Sequence, residues 1–468
     1  MTPAAVSGRA GRALALVMLV VAAACDGRDG VSGSADGRWL VGAYYYVWHE
    51  REEWQKGYLG PQLVPPILPL LGEYSSADPA VAAQHVRWAA EYGIDFLAVS
   101  WAGPESQTDR HLQSGLLQAP NLGDVRFAIF YESMQALDSR DGPVHFDDRR
   151  TGLFLRDADY LADRYLGHPH YLRLGGRPVV FLYVTRAFEG QTRDAVRAFR
   201  RRLDQRGFRV FLVGDEVFWG EPRPRRLRLY DAVTAYNMYD WPRRQLGGYA
   251  GTSAFFPEVT RQLRRFRGAA RTEGRAFVPG VIPGFNDRGV RRHHYVIPRR
   301  LTADDREGGF FARGLRETGL DFLDERLRLL MITSFNEWHE WSQIEPTRPS
   351  PETTRDVDGQ EGYTLGFPHA GYGFRYLEIL RDAVVAVSGR VVAGPAGHGA
   401  PGVEVRAFRQ GRVVTTVRTD SAGGFRFSRG ALAAGPYELA AGPDGARHVV
   451  TVGAGWTGPV ELAVPERP

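Results

Sequence analysis

Residues 78–101 read DPAVAAQHVRWAAEYGIDFLAVSW, a helical pattern that stops on a glycine and passes at once into an apolar strand. Asp78 is placed to cap, Pro79 suits the first turn, and Ala82, Val86, Ala89 and Ala90 recur on one face before Gly93 ends the pattern. Residues 94–101 then run almost unbroken in apolar side chains, as a strand covered on both faces requires. A helix feeding a doubly covered strand is one repeat of a βα fold with a mainly parallel sheet.

The same alternation extends on both sides, from Trp39 to about Ala386. Strands are expected at 40–48, 94–101, 125–132, 178–184, 210–215, 232–238, 277–285 and 329–335. Helices are expected at 79–92, near 152–166, 192–206, 256–272 and 310–327, and at 372–385. Eight strands with intervening helices in this length predict an α/β (β/α)8 TIM barrel. The rival is a doubly wound open sheet. Its phosphate loop is missing, because the first strand ends Tyr44-Tyr45-Tyr46-Val47-Trp48-His49 with no glycine-rich turn.

In a barrel the active site lies at the C-terminal strand ends, which here carry Trp48 and His49, Trp101, Tyr131 and Glu132, Tyr183, Asp215 and Glu216, Tyr236 and Asn237, and Asn286 to Arg288. The eighth strand runs into MITSFNEWHEWSQIEP at 331–346, which sets Asn336, Glu337, His339, Glu340 and Glu345 among Trp338 and Trp341. Paired carboxyls beside indoles suit acid/base chemistry on a sugar. Aromatic faces stack on pyranose C–H faces, and apolar walls raise a carboxyl pKa towards neutrality. No cofactor or metal set is expected: His293-His294 has no carboxylate at ligand spacing, and DVDGQE at 356–361 lacks a full calcium-loop pattern.

A chain of 468 residues with 43% hydrophobic content can bury a large core. Its net charge of +5 is no sign of nucleic acid, since Lys56 is the only lysine and the arginines are scattered. At the N-terminus Arg9 and Arg12 precede an apolar run at 13–24, too short for a permanent span but suited to an export signal. Ala22-Ala23-Ala24-Cys25 resembles a bacterial lipobox, which would make Cys25 a lipid-attachment site and tie the protein to a membrane in the cell envelope. Cleavage after an A-x-A site, giving a secreted or periplasmic protein, is the alternative. The expected organisation is a signal at 1–25, a linker at 26–38, the barrel at 39–386 and an accessory domain at 387–468.

The accessory domain shows short alternating segments at 387–392, 402–409, 412–418, 424–428, 436–441 and 447–452 between Gly/Pro/Asp turns, a small antiparallel β-sandwich. SGRVV, PGVEVRAF, TDSAGGFRF and AAGPYELA resemble the carboxypeptidase regulatory-like modules, and no chemistry is assigned to this part.

TSFNEWHEWSQIE at 333–345 resembles the C-terminal strand motif of glycoside hydrolase family 99, the endo-α-mannosidases and endo-α-mannanases. YYYVW on the first strand, the stretch at 71–101, PGFNDR at 283–288 and YTLGF with YLEILR at 363–381 are similar as well. The resemblance implies a retaining hydrolase with Glu337 as base and Glu340 as acid. It implies sugar contacts from Tyr46, Trp101, Glu132 and Tyr236, and an oligosaccharide or polysaccharide as the substrate. Asn336, His339 and Trp341 beside the pair are further candidates for substrate contact, with His339 reading equally as a histidine that orients a neighbouring carboxylate. Where the family usually carries Gly-Thr after the second glutamate, this chain has Trp341-Ser342, so an indole filling leaving-group space is expected. A glycosyltransferase-like relative and a non-catalytic glycan-binding lipoprotein remain as alternatives.

Overall fold

The computed structural model describes residues 38–139, 142–238, 249–359, 361–443 and 445–465; the expected signal, lipobox and Cys25 lie outside them. Parallel strands β1 (Leu40–Tyr45), β2 (Phe96–Trp101), β3 (Arg126–Tyr131), β4 (Arg177–Leu182), β5 (Phe211–Asp215) and β6 (Ala232–Thr234) pair in chain order. Strand β7 is split: Ala276–Val278 pairs with β6, and Gly280–Val281 pairs with β8 (Leu329–Ile332). Since β8 also pairs with β1, the sheet closes on itself as a TIM barrel. The expectation of one strand over 277–285 is corrected, because Phe285–Asn286 leaves the barrel to form a short antiparallel pair with Val296–Ile297.

The helix between β1 and β2 is Pro79–Tyr92. Asp78 accepts the Ala80 N–H, and Gly93 ends the helix at φ 99°, a left-handed turn that glycine adopts without a Cβ clash. The segment at 310–327 departs from a single helix, becoming Gly309–Gly314, a wider turn at Leu315–Gly319 and a tight turn at Leu320–Phe322. Packing is close at this break: a Cβ on Gly319 would stand 2.8 Å from Val281 Cγ2.

Inside the barrel the strands bring aromatic rings together, with Tyr44 centred 4.5 Å from Phe130 and 4.9 Å from Tyr236. Gly42 makes room for this filling, since a Cβ there would lie 2.2 Å from Phe96 Cζ. The interior is therefore a packed core rather than a channel.

Helix Arg375–Val384 passes without a linker into Val385–Ala393, the first strand of a β-sandwich. One sheet joins Val385–Ala393 to Gly424–Ser428 and Thr457–Val464; the other runs Arg412–Arg418, Glu404–Arg409, Gly435–Ala441, His448–Val452. Its core includes Val387, Val405, Phe427, Leu439 and Leu462. The sandwich docks on the N-terminal ends of the barrel strands. Arg426 donates to Ile94 O (3.0 Å) and Asp95 Oδ1 (2.8 Å), Ser421 N donates to Asp124 Oδ1 (2.8 Å), and the Arg381 guanidinium lies 3.6 Å from the Trp456 ring centre.

Candidate active site

Beyond Ile332 the chain leaves the sheet and makes a closed loop. Ser334 N–H donates to Ser342 O (2.7 Å), Ile344 N–H to Ser334 O (3.0 Å) and Glu345 N–H to Phe335 O (2.8 Å), so both ends of the loop are tied. Glu337 and Glu340 ride on it.

Glu337 is 2% exposed. Its Oε1 accepts the His339 backbone N–H at 2.9 Å and stands 3.4 Å from His339 Nδ1. Its own N–H donates to Ser334 Oγ at 2.7 Å. Backbone and side chain thus fix this carboxylate in one orientation.

Glu340 is half-buried, and its Oε2 is buried without a hydrogen-bond partner. Burial first, then the negative charges of Glu337 and Asp287, hold its pKa well above the usual carboxyl value despite the opposing Arg291. Glu340 therefore keeps its proton where ordinary carboxyls have lost theirs. A half-buried carboxyl with a raised pKa and an unspent oxygen is equipped to protonate a leaving group.

Three other strand ends converge on the pair. Tyr46 N–H donates to Asn336 Oδ1 (2.7 Å) and Asn336 Nδ2 donates to Tyr46 O (2.8 Å), which locks β1 to the loop. The Tyr46 hydroxyl meets that of Tyr236. Burial and then the charges of Glu132, Glu337 and Glu340 raise the Tyr46 pKa well above its usual value, so the hydroxyl stays protonated beside the carboxyls. Glu132 accepts from Ser100 Oγ at 2.8 Å. Burial, opposed by that bond and reinforced by Glu337 and Asp215, pushes its pKa up to about 8. Tyr46, Glu132, Tyr236, Glu337 and Glu340 form one cluster at the mouth of the barrel.

Asn336 is wholly buried and acts on the backbone of Tyr46 rather than facing the cluster. His339 is partly exposed and stacks on Tyr58 with ring centres 4.0 Å apart. Two of the expected contacts, Trp101 and Trp341, sit in packed surroundings. Trp101 is 0% exposed and its indole N–H is taken by Asp109 Oδ1 at 2.7 Å, so it braces β2 from behind. Trp341 is 2% exposed and packs with Trp54, Tyr58, Leu63, Ile67 and Trp338, so its indole belongs to a hydrophobic cluster. Its φ of 50° is the left-handed conformation in which glycine carries no Cβ penalty.

Asp215 serves the frame of the site: it accepts from the N–H groups of Val184 and Tyr236, each at 3.0 Å, and pairs with Arg186. In the sequence Trp48 is legible only as a strand end. The structure leaves its indole partly exposed, centred 4.5 Å from Tyr46 and 5.6 Å from His339, with Nε1 unpartnered. Its exposed part offers an aromatic face beside Tyr46 and His339, of the kind on which a sugar can stack. Glu345, with His85 and Tyr74 beneath the loop, was likewise not selected; a glutamate between isoleucine and proline reads equally well as an exposed turn. Among the described residues no group of three or more His, Cys, Asp or Glu is placed to hold a metal.

No family model matches the chain. The glycoprotein endo-α-1,2-mannosidase of Rattus norvegicus is 23% identical over 350 residues, covering 66% of this chain and 68% of that protein. The Xenopus laevis glycoprotein endo-α-1,2-mannosidase is 24% identical over 305 residues, covering 60% and 58%. Among solved structures, the GH99 endo-α-mannosidase from Bacteroides thetaiotaomicron in complex with bis-tris propane is 18% identical, with a TM-score of 0.50 over 73% of this chain and 95% of that one. At such identity the structural likeness speaks for the fold, and the sequence relatives speak for the kind of enzyme. Together they make this a glycosidase on a TIM barrel that resembles the family 99 endo-α-mannosidases.

Proposed function

We propose that this glycoside hydrolase cleaves α-mannosidic bonds within glycan chains, with retention of configuration, through a 1,2-anhydro sugar. The observation that carries the reading is the unpartnered Oε2 of Glu340, on a carboxyl whose pKa burial and the charges of Glu337 and Asp287 raise, set beside a fixed and buried Glu337. In an α-mannoside the 2-hydroxyl and the leaving oxygen stand on opposite faces of the ring. Glu337 takes the 2-hydroxyl proton as O2 attacks the anomeric carbon; the glycosidic C–O bond breaks, and Glu340 gives its proton to the departing oxygen. Water then attacks the anomeric carbon and yields a proton to Glu340. The C1–O2 bond opens, and O2 recovers its proton from Glu337. Two inversions leave the configuration unchanged.

Tyr46, Tyr236 and Glu132 supply hydroxyl and carboxyl contacts for the sugar that reacts, and Trp48 supplies a face for its neighbour. The proposed setting is the bacterial cell envelope, reached by the export signal at the N-terminus. The test is to incubate the purified chain with α-linked manno- and gluco-oligosaccharides and follow the first-formed anomer by NMR. Release of the α-anomer from manno-configured chains is expected. A β-anomer released first, or equal cleavage of gluco-configured chains, whose 2-hydroxyl lies on the same face as the leaving oxygen, would overturn the reading.

A further inference from the structure

Glu345 closes the catalytic loop, and its side chain is wholly buried; its one ion-pair contact among the described residues is His85. Donors from three segments meet on it. His85 Nε2, on the helix after β1, lies 3.0 Å from Oε1, and Oε2 accepts from the Tyr74 hydroxyl at 2.9 Å and from Trp338 Nε1 at 2.7 Å. Behind His85, its Nδ1 lies 2.9 Å from the Tyr45 hydroxyl. One consistent chain of donors runs from Tyr45 through the imidazole to the carboxylate, and each bond in it has a proton to share.

The hub reaches both sides of the site. Trp338 stands between Glu337 and His339, so holding its indole holds the backbone that presents the base. Tyr74 also accepts from Asn336 Nδ2 at 3.3 Å, and Asn336 exchanges two hydrogen bonds with the backbone of Tyr46. A burial this complete has to be met by hydrogen bonds, since an unsatisfied carboxylate in the interior is strongly destabilising.

We propose that Glu345 is a positioning residue for the hydrolysis: it fixes the loop at Trp338 and, through Tyr74, at Asn336, so that Glu337 and Glu340 address one glycosidic bond. This rests on the assignment of that pair as base and acid.

Two substitutions separate hydrogen bonding from bulk. In Glu345→Gln the amide oxygen accepts from Tyr74 and Trp338. The amide N–H donates to His85 Nε2, whose proton then sits on Nδ1 facing Tyr45. The pins survive. In Glu345→Ala they are gone, and Trp338→Phe removes one donor while keeping an aromatic ring in place. For Glu345→Ala the expected result is a fall in kcat of about a hundredfold, as for a misplaced catalytic group, with KM little changed. Trp338→Phe should show a smaller fall, and Glu345→Gln should retain most activity.

The alkaline limb of the kcat/KM profile supplies a readout that a stability defect alone would not move. A loosened loop lets water reach Glu340 and draws Glu337 away, and both lower the pKa of the acid, so the limb shifts to lower pH in Glu345→Ala but not in Glu345→Gln. Amide hydrogen exchange completes the test without needing a substrate: protection at Ser334, Ile344 and Glu345 should be lost in Glu345→Ala and Trp338→Phe and kept in Glu345→Gln. A folded Glu345→Ala protein with unchanged limb and unchanged protection would overturn the proposal, as would Glu345→Gln behaving like Glu345→Ala. Inactivity of the unaltered chain on every glycan would count against the mannosidase reading, and the exchange result would still decide the role of Glu345.

Discussion

Asp95 and Glu340 are both carboxyls at the ends of the barrel, and they are driven in opposite directions. Asp95, at the N-terminal pole, receives Arg38 at 2.6 Å and Arg426 at 2.8 Å as well as the Val41 N–H at 2.9 Å. Burial pulls its pKa up, but the two arginines and the hydrogen bonds win, and it lies below the usual carboxylate range. Glu340, at the C-terminal pole, has carboxylates for neighbours, and its pKa lies far above that range. Burial is shared by both sites; the partners differ. Cations turn a buried carboxyl into a joint, and anions turn one into a reagent.

The sharpest way to break this comparison is Glu340→Gln, which keeps the size of the side chain and removes the proton it delivers. Turnover of mannosides with poor leaving groups should fall by about a thousandfold or more, with the thermal midpoint unchanged or raised. An unaltered rate would remove Glu340 from the chemistry. Next in size is Asp95→Asn. It should destabilise the protein by about 3 kcal/mol in urea unfolding, since Arg426 loses a buried partner and Arg38 is already half solvated. Turnover per folded molecule should be unchanged. The sign with pH follows from the lowered pKa: the stability from Asp95 is present above its unfolded value of 3.8 and is lost as pH falls through the folded value. The Asn variant should therefore lack that part of the acid destabilisation. The smallest effect is expected from Trp48→Phe, which keeps a ring and loses the indole N–H. KM should rise by about threefold to tenfold, the worth of one hydrogen bond, with kcat steady.

The two poles also differ in how far the sequence discloses them. The eight strands are legible because residues buried on both faces leave long apolar runs, and Asp78, Pro79 and Gly93 mark a helix by local chemistry alone. The break at Pro279 is not legible. Whether a strand continues or changes partner there depends on β6 and β8, which lie far off in sequence. In the sandwich, the strand Thr457–Val464 escaped notice because its parallel partner, Val385–Ala393, is equally remote. Within the site, Glu132, Tyr46 and Tyr236 are legible as polar residues at strand ends, and the fold brings them beside Glu337 and Glu340. The surroundings of Trp101 and Trp341 are not legible, since an indole at a strand end looks the same in sequence whether its N–H is open or taken, as that of Trp101 is by Asp109. Residue type at a barrel rim says what a side chain could do. Which way it turns is decided by donors and rings contributed from elsewhere.

The direct passage from helix Arg375–Val384 into the sandwich, together with the hydrogen bond from Trp39 N–H to Ser428 Oγ at 3.2 Å, brings the start of the barrel and the accessory module to the same pole. That pole works as a mounting. Anything fastened to the sandwich, or to the chain just ahead of Trp39, hangs the enzyme with its cleft turned away from the point of attachment. A glycan approaching from the opposite side would meet the catalytic loop first. For immobilisation on a surface or fusion to another domain, the sandwich is the end to hold.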